Sequence, residues 1–564
     1  MKQQVLFFFF TLMLTGISVS AQTGGGRIAG VVIDNAGEEP LPGATIFIEE
    51  LKKGIVTDGH GEFLLSDVPA ATYTLTVRFI GYHTQTRKLT VGKERGKKII
   101  IRLKAEAKSL DEVVVMGKSE ARKLREQAMP ISVISMNQIQ GTVNNVQDIL
   151  AKTAGITVRA TGGTGSTSRI SVRGLEGKRI GLFIDGNPMN DNSDFIDIND
   201  IPVEMIDRIE IYKGVVPAKF GGSAVGGAVN IVIKEYPPKY LDVNYSYGSF
   251  NTHNASVVSK MNIAPKGIEF GLGGFYTYAD NDYKMKSPFQ EGLTITRDHD
   301  KFKKTVIGGS FKARKWWFDL VEFEPVFIHT YKDIQGIESN IRHAHSHSNA
   351  FIFANKMEKE NFLLDGLDLD WQLGYIYTDY HFADTASHRT HWDGTHYPAV
   401  SEFGGEIGKW ASLLTNEKHQ LQHKLNLNYL VNENHSVNFN SLLKYAHANP
   451  RDGMKDKVIG YRTDFPSNMF SWVAGLNYDY RTSNDKFLNS FNVKYYYYSM
   501  KTRMASVLVK TAEDIDTHKN DFGISNALRY RITPSLMAKA SFGYDIRLPS
   551  EEELLGDGYV IAPA

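Results

Sequence analysis

A chain of 564 residues is too long for one ordinary hydrophobic core, so several folded units are expected. Its 64 lysines and arginines stand against 63 aspartates and glutamates, a formal net charge of +1, which offers no basic field for nucleic acid. With no cysteine, the chain has neither a disulfide framework, nor a thiolate metal site, nor a cysteine nucleophile.

Residues 1–21 combine a basic Lys2, an apolar run from Val5 to Leu14, and small residues at Val19 and Ala21 that fit a cleavage site before Gln22. This pattern predicts a secretory signal peptide, since Thr15, Gly16, Ser18 and Ser20 break the apolar run well short of a spanning helix. No later stretch offers the roughly 18 apolar residues of a membrane helix. Membrane residence of the mature chain therefore falls to strands.

Over residues 26–104, short alternating runs such as RIAGVVID, ATIFIEE, TYTLTVRFI and KKIIIRL are separated by turn-rich DNAGEEPLPG and DGHG. The spacing predicts a small antiparallel β-sandwich of about seven strands. The segment LPGATIFIEELKKGIVTDGHGEFLLSDVPAATYTLTVRFIGY resembles the carboxypeptidase regulatory-like domain, an accessory sandwich rather than a protease. No histidine in the chain is followed by glutamate three positions later, so the metal pair of a zinc carboxypeptidase is missing.

Residues 105–130 form a charged linker with one β-prone island, Asp111, Glu112, Val113, Val114 and Val115. An extended valine segment of this kind can add to a partner's sheet edge through its main chain; it also suits a last strand of the preceding sandwich. In composition and in its position ahead of the next unit, LDEVVV resembles the TonB box.

From 131 to 235 a short strand ISVIS precedes a helical segment NNVQDILAKTAG, which places Val146, Ile149 and Leu150 on one face and ends near Gly155. Alternating strands and glycine turns follow: RISVRGLEGKRIGLFIDGNPMND as two strands and a turn, then DRIEIYKG and GGAVNIVIKE. The order of these elements resembles the plug domain of TonB-dependent receptors. A domain inside a wide barrel meets polar walls, so Arg169, Arg173, Arg179, Arg208 and Glu210 are expected on outer strand faces with partners or water. Gly221, Gly222, Gly226 and Gly227 suit tight turns. By the same resemblance Gly174, Asp185, Gly186 and Gly214 are structural positions of the plug. The stretch GGTGSTSR lacks the Gly-Lys-Ser/Thr ending of a phosphate loop.

From 236 to 564 the period becomes two. Leu367, Leu369, Trp371, Leu373, Tyr375 and Tyr377 alternate with Asp368, Asp370, Gln372 and Thr378; LQHKLNLNYL and SVNFNSLLKYAH behave alike across the turn VNENH. Strands of this length with one apolar and one polar face predict an outer-membrane β-barrel in contact with lipid. About thirteen such strands are expected, against even numbers, and about 22 in plugged transporters, for complete barrels. The ending SFGYDIRLPSEEELLGDGYVIAPA resembles a mid-barrel segment, so the barrel is expected to be incomplete.

The fold class expected is thus mainly β: a sandwich, a small α+β plug and an antiparallel transmembrane barrel. The resemblance implies a non-enzymatic importer without cofactor, with the N-terminal domain and TonB box in the periplasm. Its implied partners are TonB and the cytoplasmic-membrane energising complex, a scarce nutrient ligand and a surface lipoprotein of the kind used by glycan importers. A siderophore, haem, cobalamin, metal, peptide or glycan all fit the ligand's place. A passive porin or signalling receptor is the alternative, and a secreted hydrolase is disfavoured for want of a Gly-x-Ser-x-Gly elbow. Two histidine groups, His343, His345 and His347, and His388, His391 and His396, fall in expected loops. Imidazoles at alternate positions of an extended segment share a face and can hold a metal or haem iron, although a solvated polar loop also accounts for them.

Overall fold

The computed structural model describes residues 26–35, 38–79, 82–92, 98–104, 120–135, 146–160, 162–166, 168–189, 197–198, 201–222, 224–263, 267–314, 316–399, 404–506 and 509–549. The expected signal peptide and the segment Asp111 to Val115 lie outside the described residues. The chain divides into two compact units, Met1–Gly117 and Lys118–Ala564.

The first unit is a sandwich of seven strands in two sheets, one of three strands and one of four. Alternate residues point inward, so Ile46 and Ile48, Phe63 and Leu65, and Leu75 and Val77 meet Ile28, Val32, Ile101 and Leu103 in one core. Buried Thr57 ties the loop around Leu41 to the core: its hydroxyl donates to the Leu41 carbonyl at 2.6 Å and accepts from the Ala44 amide at 2.9 Å. In the DGHG turn, the amides of Glu62 and His60 hold the Asp58 carboxyl below its usual range. One feature departs from the antiparallel expectation: strand Ile99–Leu103 runs parallel to Gly26–Asp34. The chain returns to the three-stranded sheet after completing the other one, and so enters beside its first strand in the same direction.

This core closes on itself, and residues 26–104 are therefore expected to unfold alone in one cooperative, strand-type transition. In that fragment Leu75→Ala, at a fully buried position, should cost about 2–5 kcal/mol. A helical spectrum or a broad transition in a denaturant titration would refute the assignment.

The second unit contains the smaller sheets and helix of the expected plug and one large sheet. The plug has a three-stranded sheet and a five-stranded sheet, the latter ordered Asn187–Pro188, Gly181–Ile184, Ala228–Ile233, Ile206–Tyr212 and Ile131–Ser135. Helix Val146–Ala151 buries Val146, Ile149 and Leu150, as the sequence predicts, against Ile209, Ile211, Val229 and Ile231. The stretch expected to give two strands gives four. Positive φ at Arg173 and Gly174, and again at Asp185 and Gly186, folds it into two hairpins that belong to different sheets.

The large sheet has thirteen strands, from Lys239–Gly248 to Met537–Tyr544, each antiparallel to the next. The strands run from 8 to 21 residues, many beyond the about ten that cross a bilayer, because they continue past the apolar band. Alternation holds along them. Leu373 and Tyr375 are 39% and 37% exposed on the outer face, whereas Thr378 and Asp384 are buried on the inner one. Among the described residues the first and last strands are not paired with each other, so the sheet is open. The long connections 280–301, 334–344, 385–411 and 453–466 all leave one end of the sheet, and the short turn 482–486 lies at the other. No helix among the described residues is long and apolar enough to cross a membrane.

Candidate functional site at the seat of the plug

The plug is fastened to the inner face of the large sheet at three levels, mostly by wall side chains that donate to plug main-chain carbonyls. At the long-loop end, Asn281 grips the plug loop Gly162–Ser166: its side-chain oxygen accepts from the Thr164 amide at 3.0 Å and its amide group donates to the Thr164 carbonyl at 2.9 Å. The Lys332 ammonium donates to the Gly165 carbonyl at 2.9 Å. Gly165 has φ +78, and a Cβ there would lie 2.1 Å from the Phe302 ring. Only glycine lets this loop sit against the wall.

In the middle of the sheet, Lys424 donates to the Gly186 carbonyl at 2.7 Å, Asn426 to Lys219 at 3.1 Å and Lys494 to Gly222 at 3.3 Å. Behind this row lies a buried polar network. Glu210 is 3% exposed and accepts from Arg208 Nε at 2.8 Å, from the Tyr212 hydroxyl at 3.0 Å and from Asn230 Nδ2 at 3.0 Å. Asn230 Oδ1 in turn accepts from the Gly186 amide at 2.9 Å. Burial, reinforced by the Glu210 charge, raises the Tyr212 phenol, which stays a neutral donor. The Asp185 carboxylate accepts from the Ile233 amide at 3.1 Å. Although it keeps an open face, the protein enclosing this turn pushes the carboxyl upward.

At the short-turn end, helix Glu120–Arg125 and the following residues, which the sequence assigns to the linker, pack on the wall. Arg529 donates to the Glu126 carbonyl at 2.9 Å, Arg531 to the Glu126 carboxylate at 3.0 Å, and Lys539 to the carbonyls of Arg125 and Met129 at 2.7 and 2.9 Å. Ala128 and Met129 fill a small apolar seat with Leu488 and Ala527.

The plug residues singled out by sequence divide into two groups. Arg208 and Glu210 pair with each other, whereas Arg173 donates to the Lys213 carbonyl at 3.0 Å, and Arg169 and Arg179 are exposed. Gly174, Gly186, Gly214, Gly221 and Gly227 all take positive φ; Gly222 and Gly226 do not. A Cβ on Gly226 would instead meet Ile180 and Leu175. The wall donors Asn281, Lys332, Lys424, Lys494, Arg529, Arg531 and Lys539 were not foreseen. Asn281 lies in the connection 280–301, and for the others the one signal in sequence is a polar residue at an inward position of a strand.

The histidines are only partly brought together. His347 stacks on His381 of the neighbouring strand, centroids 4.4 Å apart and 9° from parallel. His345 donates through Nδ1 to the His343 carbonyl at 3.0 Å, and the His343 amide is held by Glu406 at 2.8 Å. His388 and His396 meet edge-on at 4.3 Å, while His391 stacks on Tyr397 at 4.1 Å. Among the described residues, no group of three His, Cys, Asp or Glu side chains is placed to hold a metal ion. Contrary to the loop expectation, His345 and His347 lie on strand His345–Lys359, and His388 and His396 on the short strands His388–Thr390 and His396–Pro398. The connections beside them are folded: Asp384 accepts from the Glu406 and Ile407 amides at 2.8 and 2.9 Å, and Trp392 donates to the Ile337 carbonyl at 2.9 Å.

Residues 28–115 match the model of the CarboxypepD_reg-like domain, and residues 123–228 that of the TonB-dependent Receptor Plug Domain. The chain is 28% identical over 249 residues to TonB-dependent receptor P39 of Formosa agariphila, covering 43% of this chain and 23% of that protein. It is 24% identical over 265 residues to the vitamin B12 transporter BtuB of Vibrio vulnificus, covering 45% and 43%. The matched segments thus span less than half of these relatives. Among solved structures it is similar to the copper transporter OprC (TM-score 0.58, 16% identity, 75% of this chain and 66% of that one). It is also similar to the hemophore receptor HasR of Serratia marcescens (TM-score 0.54, 15% identity, 77% and 65%). A plug fastened to the inner face of a barrel-type sheet is the architecture the chain shares with these structures. The chain carries a TonB-dependent Receptor Plug Domain, with a CarboxypepD_reg-like domain ahead of it, and over these parts it is similar to TonB-dependent receptors.

Proposed function

We propose that the protein imports a scarce nutrient across the outer membrane by energy-coupled rearrangement of the plug. The observation that carries this reading is the way the plug is held. Its links to the wall are separate side-chain hydrogen bonds from single lysines, arginines and asparagines, not a continuous backbone ladder, so they can be broken and remade one at a time. A filled lumen disfavours a passive pore. In this reading the N-terminal unit and Asp111 to Val115 face the periplasm, where the segment pairs with TonB as an added strand and transmits the pull of the energising complex. No covalent chemistry is called for.

The similarity to a protein named as a vitamin B12 transporter is consistent with a cargo within the class of siderophores, haem, cobalamin, metals, peptides and glycans. The histidines His343, His345, His347, His388, His391 and His396 are candidates to contact it at the outer end of the lumen. A surface lipoprotein would be a further partner if the cargo is an oligomer.

Val114→Pro tests the coupling, because it removes an amide donor and constrains the backbone where pairing occurs. Cell-surface ligand binding should stay near normal while accumulation collapses, and Lys118→Ala should leave both intact. Normal accumulation by the proline variant, at matched protein levels, would show that the valines do not couple to TonB.

A further inference from the structure

We infer that Glu126 and the wall arginines Arg529 and Arg531, with Lys539 on the neighbouring Arg125 carbonyl, form a reclosable mechanical latch, the first joint between plug and wall among the described residues to open when the chain is pulled from its N-terminal side. The physiological meaning of the latch rests on the import reading; its mechanics do not.

Glu126 follows directly on helix Glu120–Arg125, so tension arriving from the preceding chain reaches it before any strand of the plug. Its nearly buried carboxylate pairs with Arg531, while buried Arg529 holds its main-chain carbonyl. A buried ion pair normally resists separation, because parting strands an uncompensated charge on each side. Here neither side is stranded. On the wall, Asp485 in the short turn 482–486 already accepts from Arg529 Nη2 at 2.6 Å through its carboxylate and at 2.9 Å through its carbonyl. It also accepts from Arg531 at 3.0 Å. On the plug, Arg122 Nε lies 3.1 Å from the Glu126 carboxylate, one helical turn earlier, and travels with it. When Glu126 leaves, the two arginines keep Asp485 and Glu126 keeps Arg122. Opening therefore gives up only the bonds that cross the joint, and both halves remain charged, paired and ready to rejoin. A static staple needs no such spare partners.

The test is single-molecule pulling of the full receptor in a lipid bilayer, through a handle placed ahead of Glu120, after each variant is shown to form a heat-resistant barrel. Glu126→Gln should lower the first rupture force by less than half, since it weakens only the Arg531 bond to the carboxylate and leaves the bonds of Arg529 and Lys539 to main-chain carbonyls. Asp485→Ala should act in the opposite direction. With their resting partner gone, the arginines hold Glu126 harder, so the first rupture force rises. Should Asp485→Ala fail to insert, Arg122→Gln puts the same question to the plug side and should also raise the force. A fall in force with Asp485→Ala and Arg122→Gln as well as with Glu126→Gln would mark an ordinary structural staple and overturn the latch, as would a force unchanged by all three. Neither ligand nor TonB enters this measurement, so its failure overturns the latch alone. Normal uptake by Val114→Pro, in contrast, overturns the import reading alone.

Discussion

Gly227→Ala is expected to unseat the plug while leaving the thirteen-stranded sheet in place. Gly227 has φ +114, well outside the left-handed helical region that asparagine or aspartate tolerate, and a Cβ there would lie 2.3 Å from the Tyr212 carbonyl oxygen. The clash is with backbone, so no rotamer change relieves it. The next residue, Ala228, is fully buried and pairs with both Tyr212 and Gly181, and the Gly227 carbonyl accepts from the Gly181 amide at 2.9 Å. Displacing this point therefore disturbs two strand pairings of the five-stranded sheet together. Strain and forced repacking together amount to about 2–6 kcal/mol, a large part of the stability of a unit this small. The readout is limited proteolysis of the receptor in its membrane: rapid cleavage within residues 131–235, with the large sheet still heat-resistant. Gly174→Ala is the control. Its φ is +86 but a Cβ meets nothing within 4 Å, so its cost should stay near about 1–2 kcal/mol. Equal protease resistance of Gly227→Ala and the unmodified receptor would show that the close approach is not needed.

Alternation made the large sheet legible because a strand between lipid and a wet lumen has two faces with opposite demands; Leu373 and Tyr375 turn outward, and Thr378 and Lys424 inward. The polarity of single residues could also be read, but not their partners. Lys424 and Gly186 are 238 positions apart, and Arg529 and Glu126 are 403 apart. A lysine at an inward strand position looks the same in sequence whether it meets water, a wall carboxylate or a plug carbonyl, and only the register between distant strands decides. For the same reason, the plug arginines were expected to find a partner or water without the partner being legible; Arg208 is satisfied within the plug's own sheet and Arg173 by a plug carbonyl.

The histidines illustrate the complementary case. Same-face spacing within one segment correctly puts His345 and His347 on one side of strand His345–Lys359. The group nearest His347 is nevertheless His381, brought alongside by a cross-strand pairing that no local pattern reveals. Helix Glu120–Arg125 was hidden differently. Residues 120–129 are charged and show no amphipathic repeat, because they dock through carbonyls and one carboxylate, leaving a small apolar seat at Ala128 and Met129.

Glu210→Ala should be the most damaging single change among the charged residues of the plug. The carboxylate is the shared acceptor for the Arg208 guanidinium, the Tyr212 hydroxyl and the Asn230 amide, all within 3.0 Å. Alanine leaves the Tyr212 and Asn230 donors without this acceptor, at about 1–3 kcal/mol for each unsatisfied buried group, and takes from Arg208 one of its two carboxylates, the other being Asp207 at 2.9 Å. Glu210→Gln keeps an acceptor oxygen and should cost distinctly less. Arg169→Ala, at an exposed position, should stay within about 0.5 kcal/mol. The damage should also travel, because Asn230 orients the Gly186 amide, and the Gly186 carbonyl is where Lys424 holds the plug to the wall. If these groups act as one chain, Glu210→Ala and Lys424→Met will not add: the second substitution should cost less in the presence of the first, by roughly 1 kcal/mol or more. Denaturant titration of plug release, followed by proteolysis in the two single variants and the double one, gives the coupling directly. Strict additivity, or a Glu210→Ala cost no larger than that of Arg169→Ala, would mean that the buried network neither stabilises the plug nor reaches its seat.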